Sequence, residues 1–321
     1  MINDLIKRLL EGDKKALARM ISLVEARSVD VTRVMAEIFP HTGRAQILGF
    51  TGPPGAGKST LVDKVTSHYR SLHKSVGVIA IDPSSPFSGG ALLGDRIRMH
   101  RHAGDPDVFI RSLGTRGSFG GLSRATRSVI RLMDAAGMDV IIVETVGVGQ
   151  TELDIMKVAR TTMVVLVPES GDVVQTLKAG LTEIADIFIV NKSDRDGADS
   201  IALELRQMVE LDPTSQWSVP VLLTQATKSI GVDELCRNID EHGQLIEGGY
   251  KDKRKSTYTA DKELIEVISG KIEDGLKNSL STDSRLARLF QDVLAGERDP
   301  YSAVGEIVSD QNMLLELFGQ R

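Results

Sequence analysis

Short apolar runs alternate with longer amphipathic stretches along the middle of the chain. Six runs are rich in β-branched side chains: Ile47–Thr51, Val76–Ile81, Val140–Val143, Met163–Val167, Ile187–Val190 and Val219–Leu223. Runs that are apolar at almost every position, rather than at every second one, are typical of strands buried on both faces of a parallel sheet. Because helical patterns separate these predicted strands, we expect a doubly wound, mainly parallel α/β sheet.

The two ends of the chain carry helical patterns instead. The first 44 residues predict an amphipathic helix that is interrupted near Gly12, with an apolar face formed by Leu5, Leu9, Leu17, Met20, Ile21 and Val24. Beyond the charged stretch Lys251–Lys255, two further apolar stripes have helical spacing: Leu264, Ile268, Ile272 and Leu276, then Leu286, Leu289, Phe290 and Val293. These stripes either pack on the chain's own core or contact a second copy. We predict a helical extension over 1–44, an α/β domain over 45–245 and a second helical extension over 246–321.

Composition and charge exclude several classes of protein. Of the 321 residues, 41% are hydrophobic and 26% are charged, which is usual for a folded chain and excludes wholesale disorder. The formal net charge of −5 argues against broad binding to a nucleic-acid backbone. The single cysteine, Cys236, cannot form a disulfide within the chain, which favours a reducing compartment. We expect it to be a small buried hydrophobe.

The sequence pattern leads us to expect neither a membrane helix nor a targeting segment. No segment approaches the roughly 18 uninterrupted apolar residues of a membrane helix. The N-terminal segment is interrupted by charge too early for a signal peptide, and Glu11, Asp13 and Glu25 are unusual for a transit peptide. We expect a cytoplasmic protein that binds neither membrane nor nucleic acid.

The strongest chemical signal follows the first predicted strand. It fits the pattern G-x-x-x-x-G-K-[ST] of a phosphate-binding loop, with Gly52, Pro53, Pro54, Gly55, Ala56, Gly57, Lys58 and Ser59, and Thr60 continues the site. A helical pattern over Leu61–Tyr69 completes the strand–loop–helix context. Backbone N–H groups and the helix N-terminus would bind phosphate oxygens. Lys58 would reach the β- and γ-phosphates and the Ser59 hydroxyl would bind Mg²⁺, so the sequence predicts a nucleoside triphosphate ligand.

A second motif indicates which base is bound. The sequence Asn191–Asp194 directly follows the fifth predicted strand, at the edge where ligands bind in open α/β sheets. The Asp194 carboxylate can accept hydrogen bonds from the N1–H and the exocyclic amine of guanine, and adenine lacks this pair of donors. Asn191 and Lys192 would brace the pocket. A backbone loop after the next strand would contact the base through Thr224, Gln225 and Ala226. GTP is therefore favoured over ATP.

Two acidic residues end neighbouring predicted strands. Asp82 follows the second strand and Glu144 follows the third. Each could hold Mg²⁺ directly or through water, because this ion takes few carboxylates and keeps waters; the alternative is that both only cap strand ends. Glu144 also opens the sequence Glu-Thr-Val-Gly, in which the Gly147 N–H would bind the γ-phosphate and turn away after hydrolysis, as a switch does. By analogy with other GTPases, Gln150 could orient the attacking water.

Two further segments are rich in turn formers and arginines. The stretch from Asp82 to Met99 is long for a loop beside a nucleotide site, and such loops are often functional. Asp95 could approach the metal, and Arg96 or Arg98 the phosphates, or all three could be surface charges. Residues Arg111–Arg127 are a second candidate for a mobile element.

In this order, the motifs resemble the MeaB/ArgK family of P-loop GTPases, in the SIMIBI class with the metallochaperones of hydrogenase and urease. The resemblance extends over essentially the whole chain and rests on DPSSPFSGGALLGDRIRM, TRG…GGLSRAT, ETVGVGQTELDI, NKSD and LARLFQDVLAGERDPYSAV. It implies a GTP-hydrolysing chaperone that gates adenosylcobalamin loading and protects or reactivates an acyl-CoA mutase, typically methylmalonyl-CoA mutase. It also implies a homodimer joined through a C-terminal helical arm, with GTP or GDP and Mg²⁺ as ligands and no tightly bound cobalamin.

The resemblance assigns roles to individual residues. The implied guanine selector is Asp194, and a third switch that responds to the mutase would be Pro168–Lys178, with Asp172 as a charged candidate. The implied metal-linked residues are Ser59, Asp82, Asp95 and Glu144, and the catalytic candidates are Lys58, Glu144, Gln150 and Lys178.

Three places depart from the family pattern, and two other functions stay open. Glu169-Ser170 replaces a smaller Gly-Ala pair, Ser118-Phe119 replaces His-Leu, and Gln225 replaces a Ser or Cys. One alternative is a kinase linked to lysine–arginine–ornithine transport, against which the predicted guanine selector argues. The other is a GTP-dependent scaffold that does not hydrolyse, because no glutamine or histidine immediately follows Gly147.

Overall fold

The chain folds into two compact units, Met1–Lys255 and Ser256–Arg321. A computed structural model describes residues 2–26, 28, 30–82, 100–102, 104–114, 124–145, 154–170, 184–210, 216–250, 260–279 and 284–317. Within these ranges, no helix is long and apolar enough to cross a membrane.

The first unit is built on a parallel sheet. The strands of its described part are β1 (Gln46–Thr51), β2 (Val76–Asp82), β3 (Val108–Gly114), β4 (Val140–Thr145), β5 (Thr161–Leu166), β6 (Ile187–Asn191) and β7 (Val221–Thr224). They lie in the order β3-β2-β4-β1-β5-β6-β7, and each neighbouring pair is parallel. The predicted doubly wound sheet is confirmed. Strands β2, β3 and β4 lie on one side of β1, and β5, β6 and β7 lie on the other. The loop after β1 therefore lies where the strand order reverses, which is the usual position of a ligand site in such sheets.

Helices cover both faces of this sheet. They are α1 (Ile2–Leu10), α2 (Lys14–Glu25), α3 (Val31–Ile38), α4 (Lys58–Ser71), α5 (Arg124–Ala135), α6 (Ala198–Val209) and α7 (Val232–Glu247). On β4, Ile141 and Val143 pack with α1, α2, α3 and α5, whereas Val140 and Ile142 pack with α4 and α7. Successive side chains of a strand point to opposite faces, which explains why the sequence runs are apolar throughout.

All six predicted strands are present with ends shifted by at most two residues, but β3 is not predicted by the apolar pattern. This strand lies at the sheet edge, and Arg111 and Ser112 interrupt its apolar residues. Arg111 donates hydrogen bonds to Glu25 and Ser22 of α2. The expectation of a mobile element over Arg111–Arg127 is therefore wrong at both ends: the first four residues belong to β3 and the last four begin α5. Residues 115–123 lie outside the described ranges.

The predicted break near Gly12 separates α1 from α2. Gly12 has a φ of +83°, a conformation that glycine adopts without steric cost. The Asp13 carboxylate then caps α2 by accepting hydrogen bonds from the N–H groups of Lys15 and Ala16. The apolar face of both helices shares a core with β2 and β4 through residues such as Leu9 and Leu17.

Cys236 on α7 is completely buried, as the sequence predicts. Burial raises the pKa of its thiol to about 12, because the thiolate would lose its solvation. The side chain is thus a neutral part of the core.

The second unit contains four helices in its described part: α8 (Ala260–Ser279), α9 (Arg285–Leu294), α10 (Pro300–Ser309) and α11 (Gln311–Leu317). The two predicted stripes differ in burial. Leu286 and Leu289 of α9 are buried, and Leu289 packs within this unit's own core. On α8, Leu264 and Ile268 are 59% and 44% exposed. The first half of this stripe therefore presents an apolar surface, whereas Ile272 and Leu276 are half-buried.

The start of β1 depends on Asp134 of α5. Its buried carboxylate accepts hydrogen bonds from the N–H groups of Gly43, Arg44 and Ala45, at 2.5, 3.2 and 2.9 Å. We expect the substitution Asp134→Ala to lower the free energy of unfolding by about 2–4 kcal/mol, because it leaves several amide donors without their charged acceptor. Urea denaturation measures the loss.

The control for this prediction is Asp4→Ala, which removes a 69%-exposed carboxylate whose Oδ2 lies 3.9 Å from the Arg8 guanidinium. It should change the free energy of unfolding by no more than about 0.5 kcal/mol. Equal effects of the two substitutions would contradict the role given to Asp134.

Candidate functional site

The phosphate loop occupies the turn between β1 and α4, as predicted. Gly52 has a φ of +134°, and a Cβ there would lie 2.0 Å from the Val165 carbonyl oxygen, so only glycine fits. Gly57 has a φ of +89° and directly precedes the first turn of α4. Lys58, Ser59 and Thr60 are the first residues of that helix, and the N-terminus of a helix favours anions.

The Lys58 side chain lies against its own loop. It is buried, and its ammonium donates hydrogen bonds to the carbonyl oxygens of Gly52 and Pro53, at 2.6 and 3.0 Å. A cation held over the loop at the N-terminus of a helix is well placed to attract phosphate oxygens.

Ser59, in the first turn of α4, contacts Glu144 of β4. Glu144 is buried on β4, opposite Phe50 of β1, and its Oε1 accepts a 2.6 Å hydrogen bond from the Ser59 hydroxyl. The two oxygens are ligands of the kind that Mg²⁺ prefers. Glu144 therefore contacts the last residue of the phosphate-loop motif. A residue that only caps the end of a strand would not need this contact.

The remaining predicted metal ligands are less completely described. Asp82 is the last residue of β2, which pairs with β4, but its side chain lies outside what the structure describes. Asp95 also lies outside. Among the described residues, no cluster of three or more His, Cys, Asp or Glu side chains could hold a metal ion. Ser59 and Glu144 nevertheless fit Mg²⁺, because this ion usually combines one or two carboxylates with phosphate oxygens and waters.

Asn191 joins the second predicted loop to the first. It is buried at the end of β6, and its Nδ2 donates a 2.8 Å hydrogen bond to the carbonyl oxygen of Ala56. Its Oδ1 accepts hydrogen bonds from the Thr224 hydroxyl and the Ala226 N–H, both at 3.1 Å. One amide side chain therefore connects the phosphate loop, the Asn191–Asp194 loop and the loop after β7.

The predicted base-selecting residues lie at the surface beside this junction. Lys192 has a φ of +57°, and the Asp194 side chain is 50% exposed. The ammonium of Lys228 lies 3.5 Å from the Asp194 carboxylate and donates a 3.0 Å hydrogen bond to the side chain of Gln225. The sequence motifs do not identify Lys228 as a site residue. Its position, two residues after Ala226 in the predicted base loop, is the one sequence feature that could have indicated it.

Several other predicted site residues cannot be placed in this arrangement. The residues outside the described ranges are Asp95, Arg96, Arg98, Ser118, Phe119, Gly147, Gln150, Asp172 and Lys178. Their roles stay predictions. Of the predicted third switch, only Pro168–Ser170 is described, as a 3-10 turn after β5.

The contact between Gly57 and Asn191 leads to a testable prediction. A Cβ at Gly57 would lie 2.3 Å from the Asn191 Nδ2, the atom that reaches Ala56. We expect Gly57→Ala to lower the affinity for GTP at least about tenfold, because the strained backbone and the clash separate the two loops. Titration with a fluorescent GTP analogue measures the effect.

Gly137→Ala is the matched control for this prediction. Gly137 has a similar φ of +86°, but a Cβ there would meet nothing within 4 Å. This variant should lose about 1–2 kcal/mol of stability and keep its affinity for GTP. If Gly57→Ala also kept that affinity, the contact between the loops would have no part in nucleotide binding.

The fold and the site together define a class: the protein is a P-loop GTPase. The chain belongs to the MeaB family, since the sequence model described as "Methylmalonyl Co-A mutase-associated GTPase MeaB" matches residues 17–281. Membership of a GTPase family argues against the scaffold that binds GTP without hydrolysis.

Individual relatives agree with this assignment. A protein of Pyrococcus abyssi that is named as a GTPase is 48% identical over 318 residues, covering 97% of each chain. The mouse mitochondrial protein named methylmalonic aciduria type A homolog is 30% identical over 341 residues, which cover 100% of this chain and 80% of the mouse protein. A solved structure described as LAO/AO transport system kinase has a TM-score of 0.64 and 26% identity, with 96% of each chain covered.

Proposed function

We propose that the chain binds GTP with Mg²⁺ at the carboxyl edge of its sheet, and that its GTP cycle gates adenosylcobalamin loading into an acyl-CoA mutase. The observation that carries the nucleotide site is the position of Asn191, whose hydrogen bonds to Ala56, Thr224 and Ala226 hold the phosphate loop and the base loops together. A buried amide side chain that makes three hydrogen bonds is held in one orientation, and it fixes the loops that it connects. This favours a nucleotide site that is already formed before the ligand binds.

The proposed chemistry is hydrolysis of GTP to GDP and phosphate. The loop amides and Lys58 would bind the β- and γ-phosphates, and Ser59 and Glu144, with Asp82 and Asp95, would hold Mg²⁺. When bound, the ion would neutralise charge on the phosphate oxygens as the bond to the γ-phosphate breaks. In this proposal Gly147 senses the γ-phosphate, while Gln150 and Lys178 orient the water or the leaving phosphate.

The proposed base specificity rests on Asp194. Its half-exposed carboxylate follows the anchored Asn191 by three residues and can accept both donors of the guanine edge. The Ala226 N–H and its neighbours Thr224 and Gln225 form the other side of the proposed base site.

The proposed partner is an adenosylcobalamin-dependent acyl-CoA mutase, methylmalonyl-CoA mutase being the first candidate. The family description names that mutase, and the mouse relative is named after methylmalonic aciduria. The test is steady-state GTP turnover by the purified chain with and without a cobalamin-dependent acyl-CoA mutase. We expect the matching mutase to raise turnover at least about tenfold. Unchanged turnover with every such mutase would refute the partner and leave the GTPase assignment intact.

A kinase linked to amino-acid transport is the second candidate function. It is favoured by the similarity to the solved structure described as LAO/AO transport system kinase. A kinase would transfer the γ-phosphoryl group to a protein, so the test incubates the chain with labelled GTP or ATP and candidate transport proteins. Release of all label as free phosphate refutes this candidate, whereas stable label on a protein, with ATP preferred, supports it.

We also propose that the chain is a homodimer joined through α8. The four exposed apolar residues of this helix are Leu264, Ile265, Val267 and Ile268, between 44% and 60% exposed. Exposed apolar groups of this kind are costly in water and mark association surfaces. We expect the double substitution Leu264→Glu with Ile268→Glu to convert a dimer into a monomer, measured by light scattering. A dimer that persists in this variant would exclude this face as the interface.

A further inference from the structure

The loop that carries Asp194 runs from the buried Asn191 to the start of α6 at the buried Ala198, and its middle is exposed. Asn191 is buried, but Lys192, Ser193 and Asp194 lie nearer the surface and the Asp194 side chain is 50% exposed. A carboxylate that is half in solvent needs other contacts to hold the direction that two hydrogen bonds to guanine require.

Such a contact comes from the end of β5. Glu169 lies in the 3-10 turn Pro168–Ser170, and its Oε1 accepts a hydrogen bond from the guanidinium of Arg195, the residue directly after Asp194. The hydrogen bond from Arg195 lowers the pKa of Glu169, and the positive charges of Arg195 and Lys192 add to this effect.

The backbone beside the ion pair also lies near the turn after β5. Gly197 also lies near this turn, because a Cβ built on it would lie 3.9 Å from the Pro168 side chain. The hydrogen bond between Glu169 and Arg195 therefore contacts the base loop on the carboxyl side of Asp194, whereas Asn191 anchors it on the amino side.

We propose that Glu169 is a positioning residue for guanine selection, which holds Arg195 and thereby the direction of the Asp194 carboxylate. The proposal rests on the proposed function, in which Asp194 reads the base. Both side chains of the ion pair are about half exposed, so its effect on affinity is modest.

The test compares the dissociation constants of GTP and ITP, whose base lacks the exocyclic amine of guanine. GTP gives Asp194 two donors and ITP gives it one, so the ratio of the two constants reports the direction of the carboxylate. In Glu169→Gln, we expect the dissociation constant of GTP to rise three- to fivefold and that of ITP less than twofold. Arg195→Gln should have the same effect, and the double variant should be no worse than either.

Exchanging the two charges of the ion pair tests whether the pair itself sets the GTP-to-ITP ratio. Glu169→Arg combined with Arg195→Glu restores an ion pair with the opposite polarity and should return the GTP-to-ITP ratio to within twofold of the unmodified protein. The control is Glu37→Gln, which removes an exposed glutamate paired with Arg33 inside α3 and should leave the ratio unchanged. Thermal unfolding of each variant separates a loss of folding from a loss of selection.

The outcomes keep the two proposals apart. If the unmodified protein binds ATP as tightly as GTP, the proposed function fails. If it is selective for GTP but Glu169→Gln keeps the original GTP-to-ITP ratio, only the role of Glu169 is overturned. A ratio of dissociation constants that rises in Glu169→Gln and is not recovered by charge reversal also overturns that role.

Discussion

Replacing Asp194 with asparagine should lower the affinity for GTP by about 10²- to 10⁴-fold and make XTP the preferred nucleotide. The carboxylate accepts two hydrogen bonds from guanine, and bonds to charged groups contribute about 1.5–3 kcal/mol each. An amide would turn a donor toward the guanine amine, whereas xanthine presents a carbonyl oxygen at that position. A site built on buried or directed polar groups rejects a ligand that lacks the matching group.

Calorimetric titration of Asp194→Asn with GTP and XTP measures this exchange. The control is Asp196→Asn, which removes an exposed carboxylate from the same loop and should leave both affinities within about twofold. Unchanged GTP affinity in Asp194→Asn would mean that another group reads the base.

Replacing Glu144 with glutamine should lower GTP turnover at saturating nucleotide by about 10²-fold. In the unmodified protein the Ser59 hydroxyl donates a 2.6 Å hydrogen bond to Glu144. Glutamine keeps an oxygen that can accept this hydrogen bond, but it lacks the negative charge. The variant therefore keeps the hydrogen bond to Ser59 and removes only the negative charge that would attract Mg²⁺. We expect the Mg²⁺ concentration for half-maximal turnover to rise at least about tenfold.

The measurement is a Mg²⁺ titration of GTP hydrolysis, accompanied by GDP binding in the absence of the ion. GDP binding without Mg²⁺ should be close to that of the unmodified protein, because the phosphate loop remains in place. Glu241→Gln, which neutralises an exposed carboxylate on α7, is the control for the change in net charge. Full turnover with normal Mg²⁺ dependence in Glu144→Gln would exclude Glu144 from the metal site.

The central sheet could be predicted from the sequence because its strands are buried on both faces. Val140–Val143 is apolar at every position, so the pattern alone identifies it, and only the strand ends differ. The edge strand β3 could not be predicted in the same way. Arg111 is accommodated there because it pairs with Glu25 on α2, and that partner is 86 residues away in sequence.

The residues of the site also differ in whether the local sequence is enough to identify them. Gly52, Lys58 and Asp194 belong to short motifs whose chemistry is contained in a few consecutive residues, so spacing identifies them. The contact of Ser59 with Glu144 and that of Asn191 with Ala56 depend on the order of the strands, which the local sequence does not state.

Pairs of exposed charges are the least predictable features of the site. Glu169 and Arg195 are 26 residues apart, and nothing in either local sequence marks the other as its partner. Lys228 beside Asp194 is a similar case. Such pairs follow from how two strand ends meet, so they emerge only from the folded chain.

The central claim is that the loops after β1, β6 and β7 form one site for a guanine nucleotide. Its most direct test is the affinity of the unmodified protein for GTP and for ATP, each titrated with Mg²⁺ under the same conditions. The account predicts that GTP binds at least about 10²-fold more tightly than ATP, because only guanine offers both donors to Asp194. Equal affinity for the two nucleotides, or a preference for ATP, would contradict it.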